Sequence, residues 1–124
     1  MPQRKLPPRI YLVDDDEAVA HALKFALELE GFEVQTFASG EAILAIKSYA
    51  GSGCLVLDYN LPGKDGLEIL SALRSLGNGL PAILITSYPS LALRRRAKAA
   101  GAIIVKKPLL SDELVRTLKS VLAI

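Results

Sequence analysis

Cysteine, histidine, methionine and tryptophan are almost missing from this chain: its 124 residues hold one Cys, one His, one Met and no Trp. A lone cysteine, Cys54, cannot close an internal disulfide, and the expected compartment is the reducing cytoplasm. No apolar run approaches the ~18 residues that a transmembrane helix needs, so no membrane partner is expected. The opening MPQRKLPPR is basic and proline-rich but has no apolar stretch of the kind a secretory signal requires. There is no internal repeat and no linker beyond the first eight residues. The expected organisation is a flexible tail over 1–8 and one domain over 9–124.

What is present suits a folded domain. Hydrophobic residues make up 51% and charged residues 23%, which excludes a disordered chain, and the length buries a core without metal or disulfide staples. The net charge of +2 is too small to imply direct nucleic-acid binding, but it is unevenly spread. From Arg94 onward there are eight cations and two acids, whereas the rest has seven cations and eleven acids. The plain reading of Arg94–Arg96 is a solvated helix face; the sharper one is a docking face for an acidic partner.

Short apolar runs alternate with segments of helical period. Ile10–Val13, Glu33–Phe37, Cys54–Leu57, Ala82–Ile85 and Ala102–Val105 read as strands. The segments 18–30, 41–49, 66–76, 91–100 and from Ser111 to about Leu122 read as helices. Gly31 and Gly101 stop two of them, Asp65 and Glu68 have capping-box spacing, and Asp16 and Glu17 suit the start of the first helix. Apolar strands with helical crossovers predict a parallel sheet covered on both faces, a doubly wound α/β domain.

The polar residues fall at the carboxyl ends of these strands, the edge where open α/β sheets bind ligands. Asp14, Asp15 and Asp16 follow the first strand, Asp58 ends the third, Thr86 ends the fourth, and Lys107 follows the fifth. Clustered carboxylates repel unless one is protonated or a cation intervenes, and oxygen-only ligands favour a hard cation such as Mg²⁺. A carboxylate beside Mg²⁺, a lysine and a threonine is equipped for phosphoryl transfer, with the carboxylate as nucleophile. Each residue also has a plainer reading: Asp14 and Asp15 as helix caps, Asp58 as the start of a turn, Thr86 as an ordinary strand threonine. Four strand ends converging on one chemistry favour the site.

These residues resemble the receiver domain of bacterial two-component response regulators, over essentially the whole chain from Arg9 to Leu122. The resemblance rests on LVDDD at 12–16, LDYNLPGKDG at 57–66, ITS at 85–87 and KP at 107–108, in order and at fitting separations. It implies a (βα)5 flavodoxin-like fold with strand order 2-1-3-4-5, and Asp58 as the acceptor of a phosphoryl group from a sensor histidine kinase or histidine phosphotransfer protein. It further implies Mg²⁺ held by Asp14, Asp15, Asp58 and the main-chain carbonyl of Asn60. Thr86 would report the phosphoryl group and Lys107 would pair with it, the Lys107–Pro108 bond being usually cis in the family. Pro62 and Gly66 would shape the adjacent loop, and the side chains of Asn60 and Tyr88 would tune the phosphoryl lifetime. The output surface would be the fourth helix, fifth strand and fifth helix, a candidate homodimer face; a downstream effector domain after Ile124 is an open alternative to a stand-alone domain.

Two departures stand out. Ile104 occupies the position where the family commonly has Tyr or Phe, and the segment 101–107 is one residue short, which leaves Lys106 as an alternative to Lys107. Signal transmission then falls to backbone movement over 86–91, or to Tyr88. Cys54 is expected as a small core hydrophobe and His21 as a surface residue. Rival functions fare worse. A haloacid-dehalogenase-type phosphohydrolase needs an acid where Asn60 stands, and a flavodoxin-like FMN carrier would meet repulsion from Asp14–Asp16. A phosphorylation-independent receiver-like interaction module is the remaining alternative. Turnover of an external substrate is not expected.

Overall fold

The computed structural model describes residues 8–46, 53–107 and 112–123. In chain order the elements are β1 (Arg9–Val13), α1 (Glu17–Leu29), β2 (Glu33–Phe37), α2 (Gly40–Leu44), β3 (Gly53–Asp58), α3 (Gly66–Ser75), β4 (Ala82–Thr86), α4 (Leu91–Ala99), β5 (Ala102–Lys106) and α5 (Glu113–Leu122). All four strand pairings are parallel and the order is β2-β1-β3-β4-β5, so the sheet has the predicted doubly wound form.

Strand alternation divides the core in two. Tyr11, Val13, Leu55, Leu57 and Leu84 point to one face, against Ile43 of α2, Ile69, Leu70 and Leu73 of α3, and Leu93 and Ala97 of α4. Ile10, Leu12, Cys54, Val56, Ile83, Ile85 and Val105 point to the other, against Ala20 and Leu27 of α1 and Leu114 and Leu118 of α5. Because both faces are covered, the central strands are apolar up to their last residues, Asp58 and Thr86, which is why β3 and β4 read as continuous hydrophobic runs. β2 is an edge strand with Glu33, Gln35 and Thr36 exposed.

The helix ends follow local chemistry. The Asp16 carboxylate accepts the Val19 N–H at 3.2 Å and caps α1. Asp65 and Glu68 form the predicted capping box at α3, through contacts of 2.9 and 3.0 Å. Gly31 and Gly101, with φ of +94° and +75°, supply the left-handed turns that end α1 and α4.

Two helix boundaries differ from the sequence reading. α2 ends at Leu44, five residues before the end of the 41–49 reading, of which 47–49 lie outside the described residues. Ile46 N–H bonds to Ile43 O at 3.2 Å, tightening the last turn, and Leu44 and Ile46 pack onto the α3-side core. That burial sets the end where periodicity alone continues the helix. α5 starts at Glu113, and Asp112 makes no side-chain cap but pairs with Arg116 at 3.2 Å. Ser111, the residue read as its start, lies outside the described residues, as do 1–7 of the predicted tail.

Candidate phosphoacceptor site

The strand order reverses between β1 and β3, and the crevice at such a switch point is where α/β sheets of this kind bind ligands. β1 and β3 run in register, Val13 beside Leu57, so the next residues, Asp14 and Asp58, emerge side by side. The backbone ladder continues one step past the strands and fixes the residues there. Asp14 N–H bonds to Phe37 O at 3.0 Å, Tyr59 N–H to Ile85 O at 2.9 Å, and Lys107 N–H to Thr86 O at 2.8 Å.

Three of the site side chains are buried: Asp14, Asp58 and Thr86 are 2%, 3% and 2% exposed. The Asp58 carboxylate is held at both oxygens. Oδ1 accepts the Asn60 N–H at 3.1 Å, and Oδ2 lies 3.1 Å from Lys107 Nζ. Asp14 Oδ1 accepts the Asp16 N–H at 2.9 Å, while its Oδ2 is buried with no hydrogen-bond partner. Oxygens of Asp14, Asp15 and Asp58 lie within 4.8 Å of one another, with Asp15 exposed. Burial pushes the Asp14 carboxyl above its ordinary value, the Asp16 N–H opposes this, and the charges of Asp58 and Asp15 outbid the opposing pull of Lys107. The cluster thus has more buried negative charge than its own cation neutralises. An orphaned, buried carboxylate oxygen beside two further carboxylates fits a hard divalent cation.

The structure separates the two candidate lysines. Lys107 reaches Asp58, whereas Lys106 pairs with Thr86 in the strand register and is exposed toward the loop Ser87–Ser90. Asn60 is exposed and contributes its N–H as an anchor of Asp58, a role the sequence reading did not include. The signal was there: Asp-x-Asn at 58–60 and Asp-x-Asp at 14–16 both make Asx-type bonds from the carboxylate to the N–H two residues on. Gly66 is needed by close approach, because a Cβ there would lie 2.7 Å from the Asp58 carbonyl oxygen and 2.7 Å from Leu84 Cδ1. Pro62 and Gly63 are exposed in the loop leading to it. Pro108 lies outside the described residues.

Near the site the basic run divides. Arg96 turns back to Asp65 at 3.7 Å and to the Tyr59 hydroxyl at 3.4 Å, tying α4 to the loop after β3, while Arg94 and Arg95 make no such contact; all three are exposed. Ile104 is half-buried against the α4-side core, and Tyr88 is 89% exposed.

The sequence model of the response regulator receiver domain family matches residues 10–119. The chain belongs to this family. The receiver domain is 35% identical over 111 residues to the C4-dicarboxylate transport transcriptional regulatory protein DctD of Rhizobium meliloti, covering 89% of this chain and 24% of that protein. It is 32% identical to the transcriptional regulatory protein FixJ of Bradyrhizobium diazoefficiens, covering 90% of this chain and 55% of that one. The chain therefore spans from a quarter to about half the length of these relatives. Among solved structures, the chemotaxis protein CheY4 of Vibrio cholerae superposes with a TM-score of 0.84 at 28% identity, covering 94% of this chain and all of that one. A response regulator from Chloroflexus aurantiacus gives 0.84 at 33% identity, with 96% and 100% covered. These matches make the chain a two-component signalling domain of the phosphoacceptor class, with the flavodoxin-like fold. No helix among the described residues is long and apolar enough to cross a membrane.

Proposed function

We propose that Asp58 is the phosphoacceptor of this receiver domain and that its phosphorylation switches the surface formed by α4, β5 and α5. The observation that carries this reading is the Asp58 side chain, buried at the switch point, with Lys107 Nζ 3.1 Å from its carboxylate. A donor phosphohistidine loses its N–P bond as an Asp58 oxygen forms the new O–P bond, and the imidazole leaves with the electron pair and takes up a proton. The Asn60 N–H holds Oδ1 and so presents the carboxylate in one orientation. Lys107, already paired with Asp58, remains to neutralise the charge that arrives on the phosphoryl oxygens.

Asp14, Asp15 and Asp58, with the Asn60 carbonyl, are the residues that would hold Mg²⁺. When bound, that ion supplies charge neutralisation for the phosphoryl oxygens and for the carboxylates themselves. The partner that supplies the phosphoryl group is a sensor histidine kinase or a histidine phosphotransfer protein. The domain assists its own phosphorylation and dephosphorylation and turns over no other substrate.

Transmission runs through the backbone. Thr86 is buried, its carbonyl accepts the Lys107 N–H, and the loop from it leads directly to the Ser90 cap of α4, whose hydroxyl accepts the Leu93 N–H at 3.1 Å. With Ile104 in place of an aromatic side chain, a shift of Thr86 moves α4 through this loop. A phosphoryl group shifts the two arrangements only by the difference in its interactions with each. Pairing of two copies through the α4–β5–α5 face and coupling to a further effector domain are the outputs this surface would serve.

Intact-mass spectrometry after incubation with Mg²⁺ and acetyl phosphate tests the reading. One phosphoryl adduct is expected, absent with chelator and absent in Asp58→Asn. No adduct, with no magnesium binding, would leave a phosphate-independent interaction module.

A further inference from the structure

Asn78 is 8% exposed, and its Nδ2 is buried with no hydrogen-bond partner among the described residues. An amide buried without an acceptor is costly, and a native fold that keeps one has a reason for it. Asn78 stands in the turn between α3 and β4 and precedes Gly79, the one Asn-Gly pair in the chain. The only other asparagine, Asn60, precedes Leu61.

The turn holds Asn78 and leaves Gly79 free. The Asn78 N–H bonds to Leu73 O at 3.0 Å. Its Oδ1 accepts the Leu80 N–H at 2.9 Å, an Asx turn that puts the side-chain carbonyl carbon, Cγ, and the Gly79 nitrogen in one hydrogen-bonded ring. That bond also draws electron density from Cγ. The Gly79 N–H makes no hydrogen bond among the described residues, and Gly79 is exposed, with nothing within 4 Å of where a Cβ would stand. Arg74, in the last turn of α3, donates from Nη1 to Asn78 O at 3.1 Å and to Leu80 O at 2.6 Å. Asn78 O belongs to the peptide group whose nitrogen is that of Gly79, so the guanidinium stabilises negative charge arising on that group. An activated nitrogen, a polarised carbonyl carbon and an amide nitrogen held by nothing therefore meet in one turn. The Asp65–Gly66 pair lacks this arrangement, because Gly66 is buried and its N–H is bonded to Tyr59 O at 3.0 Å.

We propose that Asn78 is a self-modification site, at which the Gly79 nitrogen displaces ammonia from the Asn78 side chain and the resulting succinimide opens to aspartate or isoaspartate. A solvent base removes the Gly79 N–H proton, and the nitrogen's electron pair forms the bond to Cγ. The Cγ–Nδ2 bond breaks, and Nδ2 leaves with its electron pair and takes a proton from water, as ammonia. Water then adds to one ring carbonyl and breaks its bond to the Gly79 nitrogen. Opening at Cγ leaves aspartate, and opening at the main-chain carbonyl leaves isoaspartate, which adds one carbon to the main chain between α3 and β4. An aspartate at 78 can still accept the Leu80 N–H, and it brings a carboxylate to the residue that Arg74 contacts, Arg74 having no ion pair among the described residues.

The test is to hold the full chain at mildly alkaline pH, folded and in urea, and to follow each Asn and Asp by peptide mapping with electron-transfer dissociation, which separates isoaspartate from aspartate. Modification at 78 is expected in the folded chain, with Asn60 and Asp65 unchanged. Arg74→Gln should slow it about tenfold in the folded chain and not in urea, where the turn is lost, and Arg74→Lys should recover most of the rate. The proposal is overturned if residue 78 stays asparagine in the folded chain while it reacts in urea, or if Asn60 reacts as fast as Asn78. It is also overturned if Arg74→Gln reacts at the parent's rate when folded, or is slowed equally in urea. Should that variant fail to fold, the comparison of the folded parent with the parent in urea still decides. Phosphorylation of Asp58 takes no part in these steps, so either conclusion can fail while the other stands.

Discussion

Replacing Asp14 by Asn should make the metal-free domain more stable while removing much of its response to magnesium. Asp14 is buried, its Oδ2 has no partner, and carboxylate oxygens of Asp15 and Asp58 lie within 4.8 Å. Two unit charges at that separation repel by about 3.5 kcal/mol at an effective dielectric constant of ~20. Lys107 offsets part of this at Asp58, and Asp15 is exposed and screened, so a net gain of about 1–2 kcal/mol is expected for the neutral amide. The amide oxygen can still accept the Asp16 N–H, and the new N–H groups can donate to the remaining carboxylates. For a domain of this length, unfolding entropy converts that gain to about 4–8 °C in Tm. Thermal melts followed by far-ultraviolet circular dichroism, in chelator and in MgCl₂, provide the assay. In chelator the variant should melt higher. Magnesium at ten times its dissociation constant should raise the parent by about 1.4 kcal/mol, roughly 5 °C, and the variant by much less. A variant that melts lower than the parent in chelator, or an equal magnesium shift in both proteins, would refute the reasoning.

Other perturbations follow from the same geometry. Gly66→Ala places a methyl against the Asp58 carbonyl and Leu84, and should cost about 1–3 kcal/mol in urea denaturation; an unchanged midpoint would mean that the loop yields freely. Asp65→Ala removes both the α3 cap and the partner of Arg96 and should cost about 1–2 kcal/mol, of which Asp65→Asn should recover most, because the Arg96 pair is half exposed. Cys54 is fully buried, which pushes its thiol from 9.0 up to about 12. The unfolded chain ionises first, so stability held below pH 9 is lost as pH rises toward 12, by about 1.4 kcal/mol per pH unit. Between pH 8 and 10.5 the parent should lose on the order of 2 kcal/mol more than Cys54→Ala, and equal losses would count against a buried neutral thiol.

The sequence was most legible where one local pattern met one structural demand. The apolar runs of β1, β3 and β4 must be covered on both faces, and no other arrangement of alternating elements does this as simply as a parallel sheet between helices. The glycines at 31 and 101 and the capping box at 65–68 mark helix ends by chemistry that acts within a few residues, and those ends fell where expected. α2 was less legible because its end is set by Leu44 and Ile46 packing on α3, a contact with a distant segment. At the site, the strand ends located Asp14, Asp58, Thr86 and Lys107 through topology. The choice between Lys106 and Lys107 depends on strand phase, which a one-residue difference in length obscures. The division of Arg94–Arg96 was illegible for another reason: which arginine pairs with Asp65 depends on where α4 lies relative to it, a tertiary relation.

The most direct test of the account is the position of the phosphoryl group in the chain. After reaction with acetyl phosphate and Mg²⁺, borohydride reduces an aspartyl phosphate to homoserine, and tandem mass spectrometry of the proteolysed protein reads the altered residue. With Asp58 as the phosphoacceptor, homoserine is expected at position 58 alone. Homoserine at 14 or 15, or an unmodified residue 58 in protein that carries the phosphoryl mass, would contradict it.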